Sequence, residues 1–539
     1  MDLQLLSIHY SDPIWIAIAF VCGLAVKAVG LPPLVGFLAA GFILNLLGAQ
    51  DSEFLGILAD LGITLLLFSI GLKLKLKSLA RPEVWGVATL HMTTVTALFS
   101  ALVMLLSYTT IPLIADVSVE TALIIGFAMS FSSTVFAVKV LDERGTSTAL
   151  HGQTAIGVLV IQDIAAVVFI AISMGKLPTI WTLALIALVP LRLLLLKILD
   201  KVGHGELLIL FGITMALVGA DLFEFIGVKE DVGALVFGML LASHPKSNEL
   251  AKGLLGFKEL FLVGFFLSVG MTTIPSGSEI LIALLFMLFL PLKVAIYFGL
   301  FSLYNLRSSS AWRASLTLAN YSEFGLIVVA IAVSSGWLPG EWLAVLAVAL
   351  SFSFMISAPI INVRDHLYEK WRANFKRFER QNRLTGEENL ELAHVKAIVF
   401  GMGRMGVSAY NALEVNYSGA IAGVELDRDK AKKLTALGHN IYAGDVTNPD
   451  FWSRAPKLQQ DLEWVLLTLP NHKANVNSVL RLKDMGYQGR IAVTAKYPDE
   501  EAELKALGVD HTFNIYTIAG LGFANELQAF VELSQDSQP

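Results

Sequence analysis

Asp163 stands in the run Ile161-Gln162-Asp163-Ile164-Ala165-Ala166, near the middle of an apolar stretch at 152–173. Lys293 lies in Leu290-Pro291-Leu292-Lys293-Val294, well inside another at 278–304 and beside a proline that loosens its helix. An ionisable side chain at the centre of a membrane helix costs roughly 2.5–3.5 kcal/mol on insertion scales, and such residues mark ion and proton pathways. A carboxylate and an ammonium at similar depth invite pairing, and a pair that trades partners for a proton and a cation is a coupling device. The alternative is a structural ion pair that holds two helices together.

Two polar interruptions lie in other apolar stretches. Ser130-Phe131-Ser132-Ser133-Thr134 falls within 119–141, and Asn320-Tyr321-Ser322-Glu323-Phe324-Gly325 falls within 313–335. Unwound helix centres of this kind offer carbonyls and half-helix ends to charges, at matching positions in two inverted repeats. Ser132, Ser133 and Thr134 have a plainer use, back-bonding to helix carbonyls, and Glu323 has one as a carboxylate neutralised by helix dipoles at a structural crossing.

A second chemistry is written near the other end. Lys396-Ala397-Ile398-Val399-Phe400 reads as a buried strand, followed at once by Gly401-Met402-Gly403-Arg404-Met405-Gly406 and a helical pattern from Val407 to Leu413. Strand before, helix after and an acid some way on make G-x-G-x-x-G a dinucleotide fingerprint. Gly401 allows the tight turn, Gly403 lets backbone approach a pyrophosphate and Gly406 permits close packing, while Arg404 and Met405 open the helix whose N-terminus faces the phosphates. The next strand, 420–424, ends at Glu425, where a carboxylate takes both ribose hydroxyls and disfavours a 2′-phosphate. NAD(H) or another adenine nucleotide such as AMP is therefore expected over NADP(H).

Composition shows what scaffold carries these groups. The 539 residues have a mean hydropathy of +0.66, with 55% hydrophobic and 16% charged, which fits neither disorder nor an ordinary soluble enzyme. Residues 363–539 hold 21 Lys/Arg and 23 Asp/Glu, against 18 and 22 in the first 362, so the chain divides into an apolar part and a charged part. A formal net charge of −6 excludes the basic surplus that drives nucleic-acid binding. The single cysteine, Cys22, excludes a disulfide framework and a cysteine metal site, and no structural metal is expected.

Apolar stretches fall at about 13–29, 34–48, 54–72, 84–107, 119–141, 152–173, 178–196, 206–226, 232–243, 257–271, 278–304, 313–335 and 342–362. Most match the roughly 20 helical residues that span a hydrocarbon core. Met1–Asp12 carries two acids and no basic residue, unlike a removable signal peptide. With the N-terminus outside, fifteen loop Lys/Arg gather inside, among them Lys73, Arg144, Arg192, Lys246, Arg307 and Arg313, and only Lys176 and Lys229 fall outside. An odd span count then places the charged part in the cytoplasm.

Residues 363–394 read as an amphipathic basic helix and linker, with Lys370, Arg372, Lys376, Arg377, Arg380 and Arg383. Beyond it, helices at 428–437, 472–485 and 499–507 alternate with strands at 440–443, 464–469 and 490–495, a βαβ rhythm that predicts a doubly wound parallel sheet.

These residues carry a resemblance. Phe131-Ser132-Ser133-Thr134-Val135 through Leu141-Asp142-Glu143-Arg144-Gly145, then Gly157-Val158-Leu159-Val160-Ile161-Gln162-Asp163-Ile164-Ala165, resembles the central signature of the cation:proton antiporter-2 family. It looks closest to the Kef-type potassium/proton branch, and Pro33–Phe37, Leu65–Leu72, Phe257–Phe261, Phe266–Met271 and Ser322–Phe324 continue the match. The resemblance implies a multi-span α-helical membrane protein of about 13 transmembrane helices, with inverted repeats and two crossing broken helices, the fifth and twelfth, in an elevator-like moving core. It implies Asp163 as the carboxylate shared in turn by a proton and the transported K+ or Na+, and Gln162 before it favours K+ and electroneutral exchange.

Val395 to Phe513 resembles the KTN/RCK nucleotide-binding domain appended to that branch, which places Asp445 and Val446 at the adenine and implies a homodimer. The division expected is 1–362 for the exchanger, 363–394 for the linker, 395–515 for the α/β Rossmann-like domain and 516–539 for a C-terminal helix and tail. Implied partners are membrane lipid, a second copy, a nucleotide effector and an accessory subunit, in a bacterial inner membrane. Glutathione-gated members carry an acidic run before the Phe-Lys pair and arginines in the nucleotide domain; here those places read Lys252-Gly253-Leu254-Leu255-Gly256 and Thr494-Ala495-Lys496, which puts glutathione control in doubt. Other readings are a Na+/H+ antiporter, a potassium channel gated by the same domain, for which no Thr-Val-Gly-Tyr-Gly filter is present, and an oxidoreductase, for which no flavin, haem or metal-ligand pattern accompanies the nucleotide fold.

Overall fold

The computed structural model describes residues 11–29, 33–49, 53–73, 81–109, 111, 113–115, 117–144, 146–173, 188–225, 230–272, 275–380, 384, 394–448, 451 and 462–535. They pack as two units. One gathers Met1–Ala137, Thr154–Tyr304 and Ser315–Arg364; the other gathers Val138–Gln153, Asn305–Ala314 and Asp365–Pro539. The first half of the span expected at 178–196, the loop cations Lys75, Lys77, Lys176 and Lys229, and Arg383 lie outside the described residues.

The first unit is helical. Helices α1 (Ser11–Ala28), α2 (Pro33–Leu46), α3 (Glu53–Lys73) and α4 (Pro82–Leu106) follow the first four apolar stretches. The fifth divides into α5 (Val119–Ser130) and α6 (Thr134–Glu143), because Phe131 leaves the helical region with φ −69° and ψ 150°. Next come α7 (Leu150–Ser173), α8 (Leu188–Lys201), α9 (Glu206–Phe225), α10 (Glu230–Leu241) and α11 (Ser247–Thr272). α11 starts well before the apolar run at 257, since its first turns are polar. The stretch 278–304 turns between α12 (Gly277–Met287) and α13 (Leu290–Leu303), where Pro291 sits in the first turn and its missing N–H leaves no helical bond unmade. The twelfth expected span divides into α14 (Ser308–Thr317) and α15 (Glu323–Ser334). Helix α16 (Glu341–Lys376) continues the last span without a break, so the basic helix expected after 363 is its extension.

Five described helical runs, Pro82–Leu106, Glu206–Phe225, Glu249–Met271, Gly277–Leu303 and Glu341–Lys376, are long and apolar enough to cross a membrane. Their exposed faces carry Leu98, Leu105, Leu210, Leu281 and Leu303, as lipid-facing surfaces do. Inside, small residues let helix backbones approach: a Cβ on Gly71 of α3 would lie 2.3 Å from the Leu235 carbonyl of α10.

The second unit holds six parallel strands, β1 (Ala397–Phe400), β2 (Ile421–Glu425), β3 (Ile441–Ala443), β4 (Trp464–Leu467), β5 (Arg490–Ala495) and β6 (His511–Asn514), in the order β3-β2-β1-β4-β5-β6. Phe400 lies opposite Val424 on one side and Leu467 on the other. The order reverses at β1, so ligands belong at its carboxyl end. Helices α17 (Arg404–Glu414), α18 (Arg428–Ala436), α19 (His472–Asp484) and α20 (Pro498–Ala506) connect the strands, and α21 (Ile515–Gln535) closes the described chain. One layer of the core joins Ile398, Phe400, Val465 and Val493; the other joins Val399, Met402, Tyr410 and Ile441. Burial pushes the Tyr410 phenol above its ordinary range, and its oxygen accepts from Asn440 N at 3.0 Å. The sequence reading did not name β6, whose short His-Thr-Phe-Asn run lacks an apolar signature.

Candidate functional site

In the first unit the two helix breaks meet. α5 and α15 touch so closely that a Cβ on Gly325 would lie 2.5 Å from the Ala128 carbonyl. Ser133 N donates to Asn320 Oδ1 at 2.8 Å, and Ser132 Oγ donates to Leu318 O at 3.0 Å, so each break satisfies the other. Ser133 Oγ accepts from Phe136 N at 3.2 Å and Ser322 Oγ from Phe324 N at 3.1 Å, which caps α6 and α15.

Four half-helix ends therefore converge, two with partial positive charge and two with partial negative charge. The ammonium of Lys293 serves the negative ends: Nζ donates to Phe131 O at 2.5 Å, Asn320 O at 2.9 Å and Met129 O at 3.3 Å, and it lies 5.0 Å from the centre of the Tyr321 ring. The expected pairing of Lys293 with Asp163 is thus replaced by a cation on the carbonyl ends of two helices, because Lys293 faces the crossing that its depth alone did not reveal.

Asp163 sits at a positive end. Thr134, the first residue of α6, donates its hydroxyl to the carboxylate, with 3.3 Å to Oδ1 and 3.4 Å to Oδ2, and Asp163 is 1% exposed. Gln162 is held at both ends of its amide: Oε1 accepts from Ser132 N at 2.9 Å, while Nε2 donates to Tyr297 Oη at 2.8 Å and Ser130 O at 3.3 Å. Glu323 opens α15, the other positive end, and its buried Oε1 has no hydrogen-bond partner among the described residues. Asp163, Gln162, Lys293, Ser132, Ser133 and Thr134 thus share one crossing, and Glu323 occupies the position on α15 that corresponds to Thr134 on α6.

In the second unit Gly401 ends β1 with φ +89°, a conformation side chains resist, and a Cβ on Gly406 would lie 2.0 Å from the Gly401 carbonyl. Gly403 is the N-cap of α17 without a side-chain cap, and among the described residues no heavy atom lies within 4 Å of where its Cβ would be. Arg404 is exposed, Met405 half-buried and Val446 buried. Glu425 Oε2 pairs with Lys430 Nζ at 2.8 Å, and Asp445 Oδ2 pairs with Arg313 Nη1 at 2.9 Å. The carboxyl ends of β1 to β4 help enclose a cavity of about 90 Å³, lined by Gly401, Glu425, Asp445, Asn471 and also Arg144, Thr146 and Thr148.

Comparison with known proteins fixes the membership. Residues 16–363 match the family described as sodium/hydrogen exchanger, transmembrane. The chain belongs to the sodium/hydrogen exchanger family. Residues 397–515 of this exchanger match the TrkA-N domain. It is 27% identical over 524 residues to the glutathione-regulated potassium-efflux system protein KefC of Klebsiella pneumoniae, covering 92% of this chain and 80% of that one. The protein of that name from Shigella flexneri is 26% identical over 522 residues, covering 91% and 80%. A solved sodium proton antiporter from Methanocaldococcus jannaschii is 14% identical, covering 68% of this chain and 96% of that one with a TM-score of 0.44. The Kef-type resemblance and the two-part fold class are borne out.

Sequence reasoning missed three groups of this exchanger. Tyr297 lies one turn after Lys293 on α13, a spacing that puts both on one face. His91, an imidazole in an apolar helix, stacks on Tyr297 with centroids 3.4 Å apart and planes at 9°. Arg313, counted only as a loop cation, is buried to 2% side-chain exposure, with Nε 2.9 Å from Asp365 Oδ1 and Nη2 2.7 Å from Thr447 O.

Proposed function

We propose that this exchanger trades K+ for protons at Asp163 and that an adenine nucleotide in the TrkA-N domain regulates the exchange. The observation that carries the reading is the placement of one buried carboxylate at the N-terminus of a half-helix, within reach of the Thr134 hydroxyl. A buried carboxylate is costly to move while charged and cheaper once protonated or paired with a cation. Proton and K+ therefore compete for one site, and only the loaded site crosses. Lys293 keeps the crossing neutral without occupying the carboxylate. Gln162, an amide rather than a second acid, supports electroneutral exchange. The relatives' names speak of potassium efflux, which supports K+ over Na+ as the cargo.

The nucleotide reading rests on the uncapped α17 terminus at Gly403 and on Glu425 and Asp445 at the strand ends. NAD(H) and AMP both fit an acid at the ribose. The relatives are also named as glutathione-regulated; here Lys252–Gly256 and Thr494–Lys496 lack the acids and arginines of that control, so the nucleotide is the effector proposed. The loop bias of fifteen cations against two supports an outside N-terminus and a cytoplasmic nucleotide domain, while the resemblance to the Kef-type branch supports a bacterial inner membrane, a homodimer and an accessory subunit.

The test is a pH dye in sealed proteoliposomes. Potassium pulses are expected to move protons in the wild type and sodium pulses to do so less well, whereas Asp163→Asn gives no response yet melts as the wild type does. Near-normal exchange in Asp163→Asn would remove that residue from its role; equal responses to both ions would overturn only the selectivity.

A further inference from the structure

The second unit contains more than the nucleotide domain. Val138–Gln153, which spans the end of α6 and the start of α7, and Asn305–Ala314, which includes the first turns of α14, pack with it. Arg144, Thr146 and Thr148 line the cavity at the strand ends, and Arg144 is the one lysine or arginine among the described lining residues. Arg313, on α14, fixes Asp445 and the Thr447 carbonyl. The start of α14 is held as well: Ser308 Oγ donates to Glu379 Oε1 at 2.6 Å and lies 2.7 Å from Tyr368 Oη.

We propose that the exchanger sequence completes the nucleotide site, with Arg144 as a ligand of the nucleotide phosphate and Arg313 as the positioning residue for Asp445. This rests on the nucleotide reading above. Among the described residues lining the cavity, the carboxylates Glu425 and Asp445 pair with Lys430 and Arg313, and Arg144 adds a guanidinium to the same wall. A guanidinium with two threonine hydroxyls nearby suits a phosphate, which takes a fork of charge-assisted hydrogen bonds.

The cavity, at about 90 Å³, is smaller than the roughly 300–1,000 Å³ of sites that bury a ligand. The strand ends are pinned by the ladder on both sides of Phe400. Thr146 N donates to Leu141 O at 2.8 Å and Ala149 N to Thr146 O at 3.1 Å, which ties these residues to the end of α6 and the start of α7. Arg144 directly follows α6, which starts at Thr134, and Thr146 and Thr148 precede α7, which carries Asp163. Arg313 stands on α14, which runs to the second break at 318–322. A ligand that shifts these two places acts on the half-helices whose other ends form the crossing.

The experiment titrates the full-length protein in detergent with AMP, NAD+ and adenosine by calorimetry, and compares wild type with Arg144→Gln, Arg144→Ala and Arg144→Lys. AMP affinity is expected to fall about tenfold or more in Arg144→Gln and Arg144→Ala and to stay within about threefold in Arg144→Lys, as the loss of a charge-assisted bond predicts. Adenosine, with no phosphate, is expected to bind all four alike. In proteoliposomes the ratio of exchange with AMP to exchange without it moves toward one in Arg144→Gln. AMP affinity unchanged or tightened in Arg144→Gln, or adenosine weakened as much as AMP, would overturn the assignment and leave the nucleotide reading standing. No binding of AMP or NAD+ to the wild type would overturn both.

Discussion

Two regions of this exchanger use the same electrostatic device in opposite ways. At the crossing, the N-termini of α6 and α15 each meet an acid of the protein itself, Asp163 through Thr134 and Glu323 directly, while Lys293 covers the matching C-terminal carbonyls. In the TrkA-N domain, α17 starts at Gly403 with no side-chain cap. A helix N-terminus carries roughly half a positive charge in either setting. Where the protein supplies the anion, the site competes for cations and protons; where it supplies none, the site suits a soluble anion. On the function proposed above, the difference separates a transport site from a regulatory one without reference to fold.

The largest effect is expected from removing the cation that balances the crossing. Lys293→Met leaves three buried carbonyls without their donor, and a single buried group left unsatisfied costs about 1–3 kcal/mol. The variant should melt several degrees below the wild type in a thermal scan of the purified protein, whereas Asp163→Asn should not. An unchanged midpoint for Lys293→Met would break the comparison, because the carbonyl ends would then need no cation.

A smaller effect is expected from giving the nucleotide end an anion of its own. Gly403 has φ −67° and ψ −169°, which any residue adopts, and no heavy atom of the described residues stands within 4 Å of its added Cβ. Gly403→Asp should fold, and the new carboxylate should cap α17. AMP binding is expected to weaken about tenfold through competition and repulsion at the helix terminus. Calorimetry reads the affinity and a thermal scan the fold; AMP affinity equal to wild type in a stable variant would mean that the phosphate lies elsewhere.

Much of this was legible in the residues. The strand, glycine turn and helix of 396–413 announce a Rossmann unit because each local requirement is chemical, and the hydroxyls at 130–134 and the polar run at 320–325 announce breaks because apolar helices have little use for them. Depth was legible but direction was not. Lys293 and Asp163 lie at similar depths in their runs, yet the lysine turns to carbonyls at Met129, Phe131 and Asn320, from segments far away in sequence. Arg313 read as one more loop charge, although it binds Asp445, 132 residues on. Tyr297 read as an aromatic in an apolar helix, because its partners Gln162, Ser132 and His91 come from α7, the α5–α6 break and α4.

The smallest effect tests that tyrosine. Its hydroxyl accepts from Gln162 Nε2 at 2.8 Å and lies 3.1 Å from Ser132 Oγ, while His91 stacks on its ring. Tyr297→Phe keeps the ring and its stacking but removes one oxygen, and Gln162 retains Ser130 O and Ser132 N. Losing one such neutral hydrogen bond costs about 1 kcal/mol. If the hydroxyl only orients the amide beside Asp163, initial exchange rates in proteoliposomes should fall about fivefold, with the potassium-to-sodium ratio unchanged. A loss as complete as that of Asp163→Asn, or a changed ion ratio, would place Tyr297 among the groups that hold the cation. The resident-anion site would then be built by three helices rather than two.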